Sequence, residues 1–110
     1  MLFCITANYT PKGLNAMREN PNTDRKAAFE KLVSAAEGKV VGFYFTAAEG
    51  PGALTIFEAD PIAAAAITGT VASSDAVHDV KMMRLWTNEE AKVVRAKRAQ
   101  LHTAYKAPGQ

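Results

Sequence analysis

Residues 39–59 read KVVGFYFTAAEGPGALTIFEA and predict two β-strands joined by a short connection. The run at 39–46 is the strongest strand signal in the chain, and a second run covers 54–59. Gly50-Pro51-Gly52 is typical of a turn, because proline fixes φ and glycine accepts a positive φ. A phosphate loop would lead into a helix and supply a lysine, and neither follows here. We interpret the stretch as a hairpin turn; the alternative is a ligand-contacting loop in which Glu49 is a carboxylate base.

The segments on either side of this hairpin alternate between strand and helix. We predict a strand at 2–7, a helix from 12 that is interrupted at 20–22 and resumes to 36, a helix at 61–73, a strand at 76–86 and a helix at 88–103. Thr87 and Glu90 form a capping box at the start of the last helix. The order β-α-β-β-α-β is that of a ferredoxin-like α+β sandwich, here with an extra C-terminal helix. One domain is predicted at 1–104, followed by a tail at 105–110.

The composition is that of one globular domain, with 110 residues, 48% of them hydrophobic, and a net charge of +2. Nucleic-acid binders carry a strongly basic stripe, so we interpret the basic residues at 92–98 as a solvated helix face and predict no nucleic-acid partner. One cysteine and two widely spaced histidines predict no disulfide, no metal and no cofactor. The longest apolar run, near 62–67, is too short for a membrane span, and we expect a soluble cytoplasmic protein.

Helices on one side of a four-stranded sheet leave the other face open. Alternation along the first three strands assigns an apolar set to the helix side: Phe3, Ile5, Ala7, Val41, Phe43, Phe45, Leu54 and Ile56. The open face then carries a mixed set: Leu2, Cys4, Thr6, Asn8, Val40, Gly42, Tyr44, Thr46, Ala53, Thr55 and Phe57. Alternation leaves the two faces of the last strand unassigned. We predict that so apolar a face is buried against a second copy, in a homodimer or a higher even oligomer.

The candidate site residues lie on or near this mixed face. For a ligand pocket they are Asn8, Tyr44, Thr46, Thr55, Arg84 and Trp86. Interface packing is the alternative role of Tyr44, Thr46, Thr55 and Arg84. His78 titrates near neutral pH and, with Glu49 and Asn8, is a candidate catalytic group. The alternatives are a structural histidine, a solvated glutamate and an asparagine that makes a turn before Thr-Pro. Cys4 is expected to be a buried, inert thiol.

Four segments resemble the GYD domain family: ITANYTPKGLNAM at 5–17, AAFEKLVSAAEGKVVGFYFT at 27–46, LTIFEADP at 54–61 and VKMMRLWTNEEA at 80–91. The resemblance covers roughly residues 3–92 and implies a dimeric α/β barrel, in which two ferredoxin-like sheets pack face to face. The Gly-Tyr-Asp signature of the family is replaced here by Glu49-Gly50-Pro51-Gly52, so no role of that tyrosine or aspartate is carried over. Some oxygenases similar to this fold use an asparagine, a tryptophan and a histidine, and Asn8, Trp86 and His78 match those residue types.

Three functions fit these features. We favour an oligomeric small-molecule-binding or interaction protein that holds a small hydrophobic ligand between its two sheets. The first alternative is a cofactor-free oxygenase or isomerase acting on a small hydrophobic metabolite, and the second is a purely structural oligomer. A pocket without coupled titratable groups favours the first function, whereas a filled barrel favours the last.

Overall fold

A computed structural model describes residues 1–47 and 50–110. The elements are β1 (Leu2–Tyr9), α1 (Pro11–Glu19), α2 (Arg25–Ala35), β2 (Lys39–Thr46), β3 (Gly52–Glu58), α3 (Pro61–Ala72), β4 (Val77–Leu85), α4 (Asn88–Leu101) and a 3₁₀ turn (His102–Ala104). The strands form an antiparallel sheet in the order β2-β3-β1-β4. This arrangement confirms the predicted ferredoxin-like α+β fold with an extra C-terminal helix. Glu49, the candidate carboxylate base, lies outside the described residues.

The helix boundaries follow from local sequence. Each α-helix begins after a side chain that accepts a hydrogen bond from a first-turn amide: Thr10, Asp24, Asp60 and Thr87. The predicted capping box is confirmed, because the amide of Glu90 donates to Thr87 Oγ1 at 3.1 Å and the amide of Thr87 donates to Glu90 Oε1 at 3.2 Å. The predicted interruption at 20–22 is also confirmed, since it separates α1 from α2.

The core lies between one face of the sheet and the helices. Phe3 in β1 and Phe57 in β3 stack with ring centroids 5.9 Å apart, and Val33 of α2 and Ile67 of α3 are buried against them. Removing a buried aromatic ring from such a core costs about 3–5 kcal/mol. This packing therefore fixes which face of the sheet the helices cover, and leaves the other face, which we call the open face, for the site.

The predicted face assignment of β3 is wrong. Thr55 and Phe57 were expected on the open face, but Phe57 lies directly opposite Phe3 and shares its helix-covered side, as does Thr55. Leu54 and Ile56 are correspondingly on the open face. Apolarity alone does not distinguish the two sides, because the open face is itself largely apolar.

Two local features account for the wrong assignments of Val40, Val41 and Thr55. A β-bulge between Val40 and Gly42 makes Val41 the extra residue, so Val40 packs against the core while Val41 is 57% exposed. The assignments of Val40 and Val41 are therefore also wrong. Thr55 is tolerated in the core because its hydroxyl donates to the carbonyl of Gly42 at 3.0 Å, which satisfies the buried polar group.

Candidate functional site

The open face is apolar in its centre and polar at one end. The strand register places there Leu2, Cys4, Thr6 and Asn8 of β1, Gly42, Tyr44 and Thr46 of β2, Leu54 and Ile56 of β3, and His78, Lys81, Met83 and Leu85 of β4. Tyr44 is 59% exposed and Met83 is 52% exposed. Large apolar side chains this accessible on a sheet face mark a surface that is suited to binding.

The ring of Tyr44 packs on Gly42 of the same strand. A Cβ built at Gly42 would lie 2.8 Å from Tyr44 Cε2 and 3.0 Å from its hydroxyl oxygen, so the tyrosine ring lies directly over the Gly42 backbone. This contact buries Gly42 while it leaves the outer side of the ring accessible. Tyr44 therefore presents a flat aromatic surface on the open face.

A depression of about 340 Å³ occupies the polar end of the open face. It is lined by Thr6, Ala7, Asn8, Thr46, Ala53, Asp79 and Lys81. Lys81 Nζ and Asp79 Oδ2 are 3.8 Å apart, and both side chains are exposed, so this ion pair is a weak and easily exchanged contact. The depression thus offers an amide, two hydroxyls and an exposed lysine–aspartate ion pair.

The Gly-Pro-Gly stretch leads into β3 and contacts the end of β1. Gly50 has φ +106°, a conformation that favours glycine, and the amide of Tyr9 donates to the carbonyl of Pro51 at 2.8 Å. A Cβ at Gly52 would overlap the carbonyl of Ala7 and lie 2.8 Å from Asn8 Oδ1. The close approach of this backbone restricts the Asn8 side chain at the end of β1. The pairing of Thr46 with Gly52 agrees with a hairpin connection, whereas the alternative role of Glu49 lies outside the described residues.

The predicted site residues separate into two groups. Asn8 and Thr46 both line the depression, and His78 lies directly opposite Asn8 on the neighbouring strand. Trp86 follows the far end of β4, about 25 Å along the strand from His78. The asparagine, tryptophan and histidine that match the oxygenase residue types are therefore not gathered in one place within a single chain.

Arg84 lies on the helix side rather than on the open face, opposite Phe3. Its guanidinium contacts Glu90 Oε2 at 2.9 Å and stacks 4.1 Å above the ring of Trp86. The hydrogen bond with the Thr87 backbone, helped by Arg84, lowers the pKa of Glu90. Arg84 and Trp86 thus connect β4 to the first turn of α4.

Five of the seven lining residues were not predicted for the pocket, and two of these, Asp79 and Lys81, are charged. A bulge in β4 accounts for this, because the pairing with β1 shifts between Thr6 and Asn8, and Asp79 has φ +54°. As a result His78 and Lys81, three residues apart, both lie on the open face. The only indication in the sequence was the charged pair itself. Simple alternation places Asp79 and Lys81 on the same face of β4, but it does not determine whether that face is the open one.

Cys4 lies on the open face but is buried among neighbouring side chains. Burial raises the pKa of its thiol, which disfavours the nucleophilic thiolate. These features support its interpretation as an inert thiol.

A second cavity, of about 410 Å³, lies on the helix side between the α1–α2 pair and α3. Its lining includes Tyr9, Arg25, Phe29 and Val71. Burial raises the pKa of the Tyr9 hydroxyl, and the Arg25 guanidinium opposes this shift. The cavity contains none of the residues predicted for the ligand pocket, whereas the depression on the open face contains two.

Among residues 1–47 and 50–110, no group of three or more His, Cys, Asp or Glu side chains is placed to hold a metal ion. Over the same ranges, no helix combines the length and the hydropathy required to cross a membrane.

Comparison with known proteins agrees with the fold. The 30S ribosomal protein S6 of Thermotoga maritima has a similar structure, with a TM-score of 0.55, 16% sequence identity, and coverage of 88% of this chain and 97% of that chain. At this identity the likeness shows the fold alone. No curated protein sequence matches the chain. The sequence model of the GYD domain matches residues 3–94, which confirms the resemblance noted from the sequence. The chain therefore belongs to the GYD domain family.

Proposed function

We propose that this protein is a homodimer that pairs through its open sheet faces and binds a small, mainly apolar molecule between them. The observation that carries the proposal is the exposure of Tyr44 and Met83 on a sheet face whose other central residues are Leu54 and Ile56. Burial of apolar surface contributes about 25 cal/mol per Å², so pairing two such faces is favourable. A two-fold axis lets the same face serve both chains.

The depression beside this apolar centre supports ligand binding. Its volume of about 340 Å³ is within the range of small-molecule sites. Asn8 and Thr46 offer hydrogen-bonding groups, and Lys81 and Asp79 add an exposed ion pair. The ligand class that fits is an apolar molecule with one polar end, held with its apolar part between the sheets.

A cofactor-free oxygenase or isomerase is the second candidate function. The observation that favours it is the direct cross-strand pairing of Asn8 with His78, two groups able to orient a substrate and to move a proton. His78→Ala separates the two functions. For an enzyme, the variant is expected to bind the ligand and lose turnover, whereas for a binding protein it is expected to keep the ligand with no reaction to lose.

Native mass spectrometry of the purified protein tests the proposal. A dimer, or a larger even assembly, with a reproducible additional mass is the expected result. Tyr44→Glu is expected to dissociate the assembly, because it introduces two carboxylates into the paired faces. Tyr105→Glu makes the same chemical change on an exposed tyrosine outside the sheet and serves as the control. A monomer at micromolar concentration, or equal association of the two variants, would exclude pairing through this face.

A further inference from the structure

The outward side of α3 is apolar although it faces solvent. Ala64 and Ile67 point into the core, while Ile62 is 83% exposed and Ala65 and Ala66 are also exposed. The helix contains no charged residue along its length. A helix at the surface of a globular protein ordinarily carries polar residues on its outer side. This outward side is therefore the kind of surface that another element covers.

Gly69 lies on this side of α3, and no contact among the described residues requires a glycine there. Among the described residues, no atom outside the helix backbone lies within 4 Å of a Cβ built at Gly69. The other glycines either have a close neighbour at the Cβ position or take a positive φ. Glycine is the least favourable residue after proline in a helix interior. Its missing side chain does permit close approach by a second helix, which is the explanation that remains.

Within the described residues, α4 contacts the sheet only through its first turn, where Glu90 meets Arg84, and none of its fourteen residues is buried. The chain measures 59 Å along its longest axis and has a radius of gyration of 17.8 Å, against about 13 Å for a compact domain of this size. Val94 and Leu101, two turns apart, are 42% and 56% exposed. Because an isolated helix of this length is marginal in water, α4 requires a surface to pack on.

The sequence around α3 is acidic, whereas the sequence of α4 and the tail after it is basic. The sequence from 40 to 80 has no lysine or arginine and five acidic residues: Glu49, Glu58, Asp60, Asp75 and Asp79. The sequence from 91 to 110 has no acidic residue and five basic ones: Lys92, Arg95, Lys97, Arg98 and Lys106. Asp60 caps the start of α3, and Asp75 follows its end, where its carboxylate pairs with Lys12 Nζ at 3.2 Å. The carboxylate of Asp60 thus places a negative charge at the start of the uncharged α3, which favours the approach of a basic helix.

We propose that α4 of one chain packs on the outward side of α3 of a second copy, with Gly69 at the crossing point beneath Val94 and Leu101. The contact extends beyond the proposed function, because it uses the helix layer rather than the open sheet face and requires no ligand. Each chain carries both surfaces, one on α3 and one on α4.

Gly69→Arg tests this contact in the full-length protein. Arginine favours a helix and points into open space in the free chain, so the melting temperature is expected to be unchanged or higher. In the assembly it blocks close approach and repels the basic α4. Sedimentation equilibrium is expected to show association weakened about tenfold or more. Ala35→Arg adds the same charge at an exposed position of α2 and is the control, with association expected to be unchanged.

A cross-link identifies the partner helices directly. In a Cys4→Ser background, which removes the single native thiol, Gly69→Cys and Val94→Cys chains are purified separately, mixed and oxidised. A disulfide-linked pair containing one chain of each kind is the expected product. Tyr44→Glu, which addresses only the open face, is expected to leave that product in place. If Gly69→Arg associates as strongly as Ala35→Arg and the mixed cross-link does not form, the proposal is overturned.

Discussion

Gly42→Ala should weaken association much more than it weakens folding. The added Cβ would come within 2.8 Å of the Tyr44 ring, so the ring must move away from the sheet. Tyr44 is 59% exposed, and an aromatic side chain of its kind covers about 200 Å², so roughly 80 Å² of contact is at stake, or about 2 kcal/mol at most. Replacing glycine also removes unfolded-state freedom worth about 0.4–1 kcal/mol. The net loss in the free energy of unfolding is therefore about 1 kcal/mol.

The free energy of association is expected to change more than the free energy of unfolding. A two-fold pair contains the displaced Tyr44 ring twice, and each ring holds the two sheets apart. Urea unfolding of the monomeric fraction measures the free energy of unfolding, and sedimentation equilibrium measures the free energy of association. A double-mutant cycle with Tyr44→Ala identifies the cause, since the effect of Gly42→Ala should nearly vanish once the ring is gone. A loss of 3 kcal/mol or more, on the order of a core substitution, that persists in the Tyr44→Ala background would refute this reasoning. It would mean that the new Cβ disturbs the backbone instead.

Two further predictions concern the support of the site. Thr55→Val should lower the free energy of unfolding by about 1–2 kcal/mol in urea titrations, because it leaves the buried carbonyl of Gly42 without its hydroxyl donor; an unchanged midpoint would indicate that the hydrogen bond contributes nothing. The lowered pKa of Glu90 predicts that its stabilisation of the α4 start is complete above the ordinary value of 4.5 and is lost as pH falls through the lower folded-state value. Fluorescence of the single tryptophan should report that loss, and Glu90→Gln should remove its pH dependence.

The sequence was most informative where structure depends on neighbouring residues. The Thr87–Glu90 capping box and the helix interruption near Pro21 follow from backbone chemistry within a few positions, and both are present. The chain order of the elements was sufficient to identify the fold. Predicting these features does not require knowing which residues pair across the sheet.

The faces of the strands were less predictable, because they depend on register. Alternation fails at a bulge: Val41 is an extra residue in β2, and the irregularity at Asp79 brings His78 and Lys81 to the same face. A buried hydrogen bond also allows Thr55 into the core, where a count of apolar residues would not place it. As a consequence, Lys81 lines the depression, although the sequence did not predict it there.

The direction in which α4 leaves the sheet depends on residues outside the helix, so it is the hardest of these features to predict from the sequence. Its capping box predicts that a helix begins at Thr87, but the stacking of Arg84 on Trp86 and the contact with Glu90 fix how it leaves the sheet. The two proposed contacts differ in symmetry. Pairing of open faces is isologous and joins two chains, whereas packing of α4 on α3 joins unlike surfaces. The second contact closes when two chains exchange their helices reciprocally or when several chains form a ring, and otherwise it continues into an open fibre. The size distribution of the wild-type protein therefore tests closure: discrete species require a closed arrangement, and an open series of increasing mass would show that α4 docks without closing.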